Sequence, residues 1–467
     1  MRQKLALALA ALLILGGAGT VLGAQVLLRG REDAVTIEEE ILYGDTEAAQ
    51  GLRVTMETAS DSFRYLLRWD TAFSPGGAGA ADTVFTAEPQ ETSWSSWDQE
   101  DELRVEFDSP HLVYAGPTAD QYFWDSQRRA NRLYLPAKDV AGRTAPGEER
   151  TEVVDLADYY DVYPLHLVMF YGEFFNSNYR GVDQLTDFFR IPVPQGTMAE
   201  VTVLRNEAGE IEDASCTCEP DLPAFTVPVF TDTYAYCCFD ASQSDVDVSQ
   251  IAGGCGLFRL DYRLSYDVAP YLTLEKVSTV LPVEGAVKDV TARDGKLLVF
   301  SEEAGTLWLS VLEEESGAVL QRLAVMPVTG GASLYDAAGM EGGILVRLTG
   351  GAAAVLEPAA EGYQVAFTTD LSDEAMAPFF SDGAEADLRW NSCAAAFDGE
   401  RLAVLYPLSG DVLPDLGLLV LSRDGTPVFA AKYRHGAHGE KALRYPVCES
   451  WDAFLWEDSF SSVLAFS

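Results

Sequence analysis

Positive charge is scarce in this chain, and so are the markers of catalysis. Its 467 residues carry 32 Lys and Arg against 73 Asp and Glu, a formal net charge of −41. A phosphate backbone is repelled by such a field, so a nucleic-acid partner is excluded and the acids read as a solvated, self-repelling surface. No Gly-x-Ser-x-Gly elbow, no His-Glu-x-x-His pair and no Walker lysine occurs, which leaves no signature of a serine nucleophile, a zinc protease or a nucleotide site. Long helical periodicity is almost missing too. With 48% apolar residues, the chain still has ample material to bury a core.

Charge is also missing between Lys4 and Arg29. A bilayer is crossed by about 20 apolar residues rising 1.5 Å each, and residues 5–28 meet that length. Arg2 and Lys4 come first, so residues 1–4 are expected as a cytoplasmic tail and the bulk of the chain as extracytoplasmic. The rival is a cleavable signal peptide, with Val21, Leu22 and Gly23 before a cut ahead of Ala24. A signal core of roughly 7–15 residues is shorter than this run, which favours a retained single-pass anchor in the cell membrane. No lipidation cysteine follows the run, and so short a tail holds no folded signalling domain.

Beyond the anchor, residues 29–51 read as a charged connector with one short helical turn, capped by Asp45 and ended by Gly51. The rest is short apolar runs rich in Val, Leu, Phe and Tyr, bounded by Gly, Asp, Pro or Ser, which is the pattern of strands. Leu297–Phe300, Thr306–Leu312 and Ala318–Val325 form one set joined by tight turns. Ile344–Leu348, Ala353–Leu356 and Tyr363–Phe367 form a second, and Arg401–Tyr406, Gly417–Leu421 and Val428–Tyr433 a third. Their opening glycines, Gly295, Gly343 and Gly399, recur at roughly 50 residues, within the range of four-stranded blades. Residues 277–435 thereby resemble a degenerate β-propeller, although no blade carries a WD dipeptide or a kelch signature. The expected fold is all-β: a β-propeller of six to eight irregular blades after an N-terminal transmembrane helix. The alternative is a β-sandwich-like domain followed by a partial propeller. Residues 52–275 read as an irregular β half, with strands at Ser62–Trp69 and Leu103–Phe107, and residues 276–467 as the propeller-like half. Strands near Ala453–Trp456 and Ser462–Phe466 are placed to pair with an earlier strand.

Two segments invite a site. Asp155–Phe189 gathers ten aromatics with several acids. Rings stack on sugar faces and a carboxylate pair can hydrolyse a glycosidic bond, which nominates Tyr159, Tyr160, Tyr163 and Tyr171 as ligand-binding and Asp158, Asp161 and Glu173 as catalytic, with His166 among them. The competing reading, which is preferred, makes the rings core packing. Ser215–Phe239 holds Cys216, Cys218, Cys237 and Cys238. In extended chain Cys216 and Cys218 share a face while Cys237 and Cys238 diverge, so a four-thiolate zinc is disfavoured. Buried thiols come first, and a disulfide from Cys216 or Cys218 to Cys237 or Cys238 across a hairpin second. Seven cysteines, counting Cys255, Cys393 and Cys448, leave one unpaired within the chain. His435 and His438 read as a solvated loop, Asp245 and Asp247 as short of a calcium loop, and Gly76, Gly77 and Gly79 as a loop without a following helix. No metal or cofactor is implied.

The expectation is therefore a membrane-tethered extracytoplasmic binding protein without catalysis, meeting an envelope protein or a glycan. The alternative is an exported carbohydrate-active hydrolase or lyase using residues 155–189.

Overall fold

The computed structural model describes residues 37–62, 65–76, 82–89, 102–107, 111–115, 134–171, 174–178, 182–218, 224–240, 247–265, 271–360, 362–380, 394–408, 415–435 and 460–466. The anchor segment, residues 5–28, lies outside them. No helix among the described residues is long and apolar enough to cross a membrane. Those residues are all-β, with short helices α1 (Tyr134–Arg143), α2 (Val182–Phe189) and α3 (Asp373–Phe380).

The chain divides into two compact units, and the division differs from the expected halves. One unit comprises Met1–Ser95 with Ala332–Ser467, the other Ser96–Gly331. The reason is strand pairing between distant parts of the sequence. In the first unit, β28 (Phe460–Phe466) pairs with β2 (Leu52–Ser62), followed by β3 (Tyr65–Phe73) and β4 (Asp82–Pro89). The same unit holds the sheet β20 (Leu334–Met340), β21 (Gly343–Leu348), β22 (Ala352–Ala359) and β23 (Gly362–Asp370). Its third sheet has five strands in the order β1 (Ile37–Gly44), β27 (Pro427–His435), β26 (Leu416–Ser422), β25 (Arg401–Pro407) and β24 (Ala394–Phe397).

The second unit holds four antiparallel sheets. They run β5 (Glu102–Phe107), β8 (Leu165–Tyr171), β9 (Phe174–Asn178); β6 (His111–Ala115), β11 (Ile211–Thr217), β10 (Met198–Arg205), β7 (Glu149–Asp155); β12 (Ala224–Phe230), β13 (Tyr234–Asp240), β14 (Gly256–Ser265), β15 (Tyr271–Pro282); and β16 (Ala286–Arg293), β17 (Lys296–Glu303), β18 (Thr306–Glu313), β19 (Val319–Pro327).

Local chemistry explains the repeat. The middle strands β21 and β26 are packed on both faces: every residue of β21 is buried, as are Leu416–Leu421 of β26. They accordingly read as unbroken apolar runs rather than alternating ones. Asp294 and Gly295 turn β16 into β17 with φ of 53° and 72°, and Ala304 and Gly305 turn β17 into β18 with 48° and 74°. Two consecutive left-handed residues are what the tight hairpin turn demands, and an Asp-Gly pair supplies them at little strain.

Two expectations need correction. Ser62–Trp69 is not one strand: β2 ends at Ser62 and β3 begins at Tyr65. The charged connector contains β1, because its Glu-rich stretch finds a pairing partner in β27, distant in sequence. The helical turn is present as a 3-10 turn over Thr46–Ala49, with the Asp45 carboxylate accepting the Glu47 N–H.

Candidate functional site

The aromatic and acidic segment begins where β7 ends, in the second unit. Asp155 accepts the Ala157 N–H at 3.0 Å and the Gly196 N–H at 2.8 Å, which caps a 3-10 turn over Leu156–Asp158. The turn buries Leu156 completely and leaves Asp158 exposed. Tyr163 is 1% exposed and belongs to the core that also takes Leu165, Leu185 and Phe189. Asp161 is exposed, and its carbonyl accepts the Val193 N–H.

Tyr159 and Tyr160 both face α1. The Tyr160 hydroxyl accepts the Leu135 N–H at 3.0 Å, satisfying one of the orphan donors in the first turn of that helix. The Tyr159 hydroxyl donates to Asp139 Oδ2 at 2.8 Å, and Arg143 pairs with the same oxygen at 2.8 Å while reaching Glu152 of β7. The Tyr159 hydrogen bond is the chief reason the Asp139 carboxyl lies below its ordinary range. Burial, then Asp139, raises the Tyr159 phenol, so it stays protonated at neutral pH and is a donor rather than a nucleophile. This network was not read from the sequence. The buried Ala137, Val140 and Ala141, at helical spacing, are the signal that would have located α1.

Tyr171 and His166 occupy β8, and Glu173 lies outside the described residues. Farther along, α2 places Phe188 and Phe189 in an aromatic cluster. Phe189 lies 5.0 Å from Phe225 and 4.8 Å from Phe258, ring centre to ring centre.

The four cysteines of Ser215–Phe239 are all buried, and none is in a disulfide. The structure replaces the expected single hairpin by strands of two sheets: Cys216 lies on β11 with Cys218 just after it, and Cys237 and Cys238 lie on β13. Cys237 enters the core shared with Cys216 and Cys218, whereas Cys238 enters a different cluster with Tyr236 and Leu281. Burial pushes the Cys216 thiol up to about 12 and the Cys237 thiol well above its ordinary value. Few thiolates form at neutral pH, so slow reaction is expected in the native state. After denaturation without reductant, alkylation followed by peptide mapping should find all five described cysteines as free thiols. In the native protein half-buried Cys255 should react ahead of Cys216 and Cys237. A shortfall on denaturation would reveal a disulfide.

Other candidates have local roles. Asp247 caps a 3-10 turn over Val248–Gln250 by accepting the Ser249 N–H, and the Gly76 N–H donates to Glu39 Oε1 at 2.9 Å. Gly77, Gly79, Asp245, His438, Cys393 and Cys448 lie outside the described residues, and His435 ends β27. Among the described residues, no three His, Cys, Asp or Glu side chains gather as a metal site would require.

No protein-family model matches this sequence, and no curated protein matches it. Among solved structures, the chain is similar to a protein from Lactobacillus plantarum at 9% identity over 82% of this chain and 99% of that one, with a TM-score of 0.27. It is similar to a Synechocystis apocarotenoid oxygenase mutant at 8% identity over 86% and 93%, TM-score 0.23. Kluyveromyces lactis Hsv2 follows at 10% identity over 55% and 88%, TM-score 0.20. Likeness at this level carries no argument about activity.

Proposed function

We propose that the chain is a membrane-tethered extracytoplasmic interaction protein, with the seven antiparallel sheets of its described residues as blades of a β-propeller and with no catalysis of its own. One observation carries the reading: three of the nominated tyrosines, Tyr159, Tyr160 and Tyr163, serve the scaffold. Tyr163 is core, Tyr160 holds the first turn of α1, and Tyr159 is bonded to Asp139. A sugar cleft would need those rings turned toward a ligand. The uncharged run over residues 5–28 supports the tether, and the net charge of −41 favours a protein partner with cationic groups over an anionic one.

The test uses the full chain. Fusions of its C-terminus to alkaline phosphatase should be active and those to β-galactosidase inactive. The protein should remain at full mass in carbonate-washed membranes, and surface-placed photo-crosslinkers should yield a discrete adduct with an envelope component. A shortened, soluble product would overturn the tether. Sugar release from envelope glycans that is abolished by Asp158→Asn or Asp161→Asn would overturn the non-enzymatic reading.

A further inference from the structure

The five-stranded sheet is one strand wider than the four-stranded sheets, and the extra strand, β1, is at its end. Among the described strands β1 pairs with β27 alone. Its register sets Glu38 opposite Arg434 and Glu40 opposite Lys432 on one face, with Glu39 opposite Tyr433 and Ile41 opposite Ala431 on the other. A bulge at Leu42 then brings Tyr43 opposite Ala430. Ile41, Leu42 and Tyr43 are 49%, 37% and 49% exposed. Tyr43 also meets the Phe379 ring of α3 edge-on at 5.5 Å. Consecutive exposed apolar residues on an edge that no described strand pairs are what soluble proteins generally avoid, because such an edge templates the addition of another strand.

This edge is held in place. Glu39 accepts the Tyr433 hydroxyl and the Gly76 N–H, each at 2.9 Å. At the far end Gly44 has φ of +76°, and a Cβ there would meet the Val428 carbonyl oxygen at 2.0 Å. The strand is thus fixed at both ends of its exposed stretch, and little ordering is left for a partner to impose.

The acids beside it select the partner. Asp415 already takes Lys432 at 3.2 Å and Arg434 at 3.4 Å, and Arg434 reaches Glu40 only at 3.9 Å. Among the described residues no ion pair reaches Glu38. Glu38 and Glu40 therefore keep capacity for added cations on one face, while Ile41 offers apolar area on the other. An acidic strand, including β1 of a second copy of this chain, meets like charge.

We propose that the free edge of β1 captures an extended segment of a partner protein by strand addition, the segment carrying Lys or Arg at alternate positions and apolar residues between them. The inference rests on the interaction reading above and names where the partner docks.

The probe is a labelled peptide of alternating valine and lysine, titrated by fluorescence anisotropy against the full chain in neutral-lipid nanodiscs at physiological ionic strength. Three comparisons decide the matter. N-methylation of alternate peptide amides keeps the charge but removes the strand-pairing donors, and should weaken binding to the wild-type protein about tenfold. A block peptide, all lysines followed by all valines, should weaken it similarly. The Glu38→Lys, Glu40→Lys double variant, checked for folding by circular dichroism, should also lose about tenfold. That variant raises the formal net charge only from −41 to about −37, so general attraction of a cation to an acidic protein is nearly unchanged. Absence of binding, equal binding of the N-methylated peptide, or full binding by the double variant would each overturn the proposal. Retention of the cross-linked envelope partner by the double variant would overturn the β1 edge while leaving the interaction reading in place.

Discussion

Replacing Phe189 by alanine is expected to remove about 3–5 kcal/mol of stability from the second unit. Phe189 is fully buried at the end of α2 and has four aromatic neighbours: Phe188, Phe225 and Phe258 with ring centres within 5.0 Å, and Phe239 at 6.2 Å. These rings come from α2 and from β12, β13 and β14, so truncation opens a cavity where the helix meets the sheet. The edge-to-face pairs with Phe225 and Phe258 add about 0.5–1.5 kcal/mol each beyond burial. The unit contains several sheets and need not unfold in one step, so the measurement is hydrogen exchange of the β13 and β14 amides. Their opening free energy should fall by the stated amount in Phe189→Ala. Tyr159→Phe, which removes one partly exposed hydroxyl, should change it by less than about 1 kcal/mol. A Phe189→Ala loss no greater than that of Tyr159→Phe would mean that these rings are not core.

Parts of the architecture were legible in the sequence for reasons these residues make plain. Between Gly295 and Tyr433 the middle strands are packed on both faces, and the observed β17, β18, β21, β25 and β26 begin within one residue of their apolar runs. Period-two geometry also separated Cys237 from Cys238. Pairing at long range was much less visible. Glu38–Glu40 read as linker because nothing local marks an edge strand whose partner, β27, is distant in sequence. Ser62, Phe63, Arg64 and Tyr65 include no Gly, Pro or Asn, so little in the sequence marks where β2 ends and β3 begins. The tyrosines at 159, 160 and 163 stand close together in the sequence. That two of them bond to α1 is a tertiary fact, and no spacing announces it.

Scarce cations explain much of how the sheets are joined. Arg259 of β14 takes Asp261 at 2.7 Å, lies 4.2 Å from the Tyr234 ring centre and bonds to the Glu315 carbonyl in the turn after β18, joining two sheets of the second unit. In the first unit Arg423 does the same between Glu357 of β22, at 2.7 Å, and the Gly399 carbonyl before β25. Each guanidinium fork satisfies carbonyls at a junction where another acid would only repel. With 32 cations against 73 acids, removal of one such arginine leaves its carboxylate partner with few substitutes.

Arg401→Ala is the sharpest case and should cost about 2–4 kcal/mol, with release of the C-terminal strand before the rest of its unit. Arg401 bonds to Asp398 at 2.7 Å, donates to the Ala48 carbonyl at 2.8 Å and the Gln50 carbonyl at 3.2 Å, and lies 4.7 Å from the Phe466 ring centre. It thus ties β25 to the entry of β2 and to the last residue of β28, whose N–H donates to Glu341 at 2.9 Å. Amide exchange over residues 460–466 should rise at least about tenfold in the variant, and Arg401→Lys should recover only part, because one ammonium cannot reproduce the fork. The pH dependence separates this from simple loss of packing. Burial pushes the Asp398 carboxyl up, but the Glu400 and Arg401 N–H groups and the guanidinium outweigh it and hold it below its ordinary value. The Arg423 hydrogen bond likewise holds Glu357 low. With the folded value depressed, each carboxylate adds stability that is fully present above its unfolded value of about 4 and is lost as pH falls through the folded value. The wild-type melting temperature should therefore fall steeply below about pH 4. In Arg401→Ala the guanidinium's part of the Asp398 contribution should be missing while the Glu400 and residue-401 N–H bonds keep the rest, so the two melting curves draw closer as the pH drops. Parallel curves down to the lowest folded pH would show that Arg401 holds β28 by packing alone.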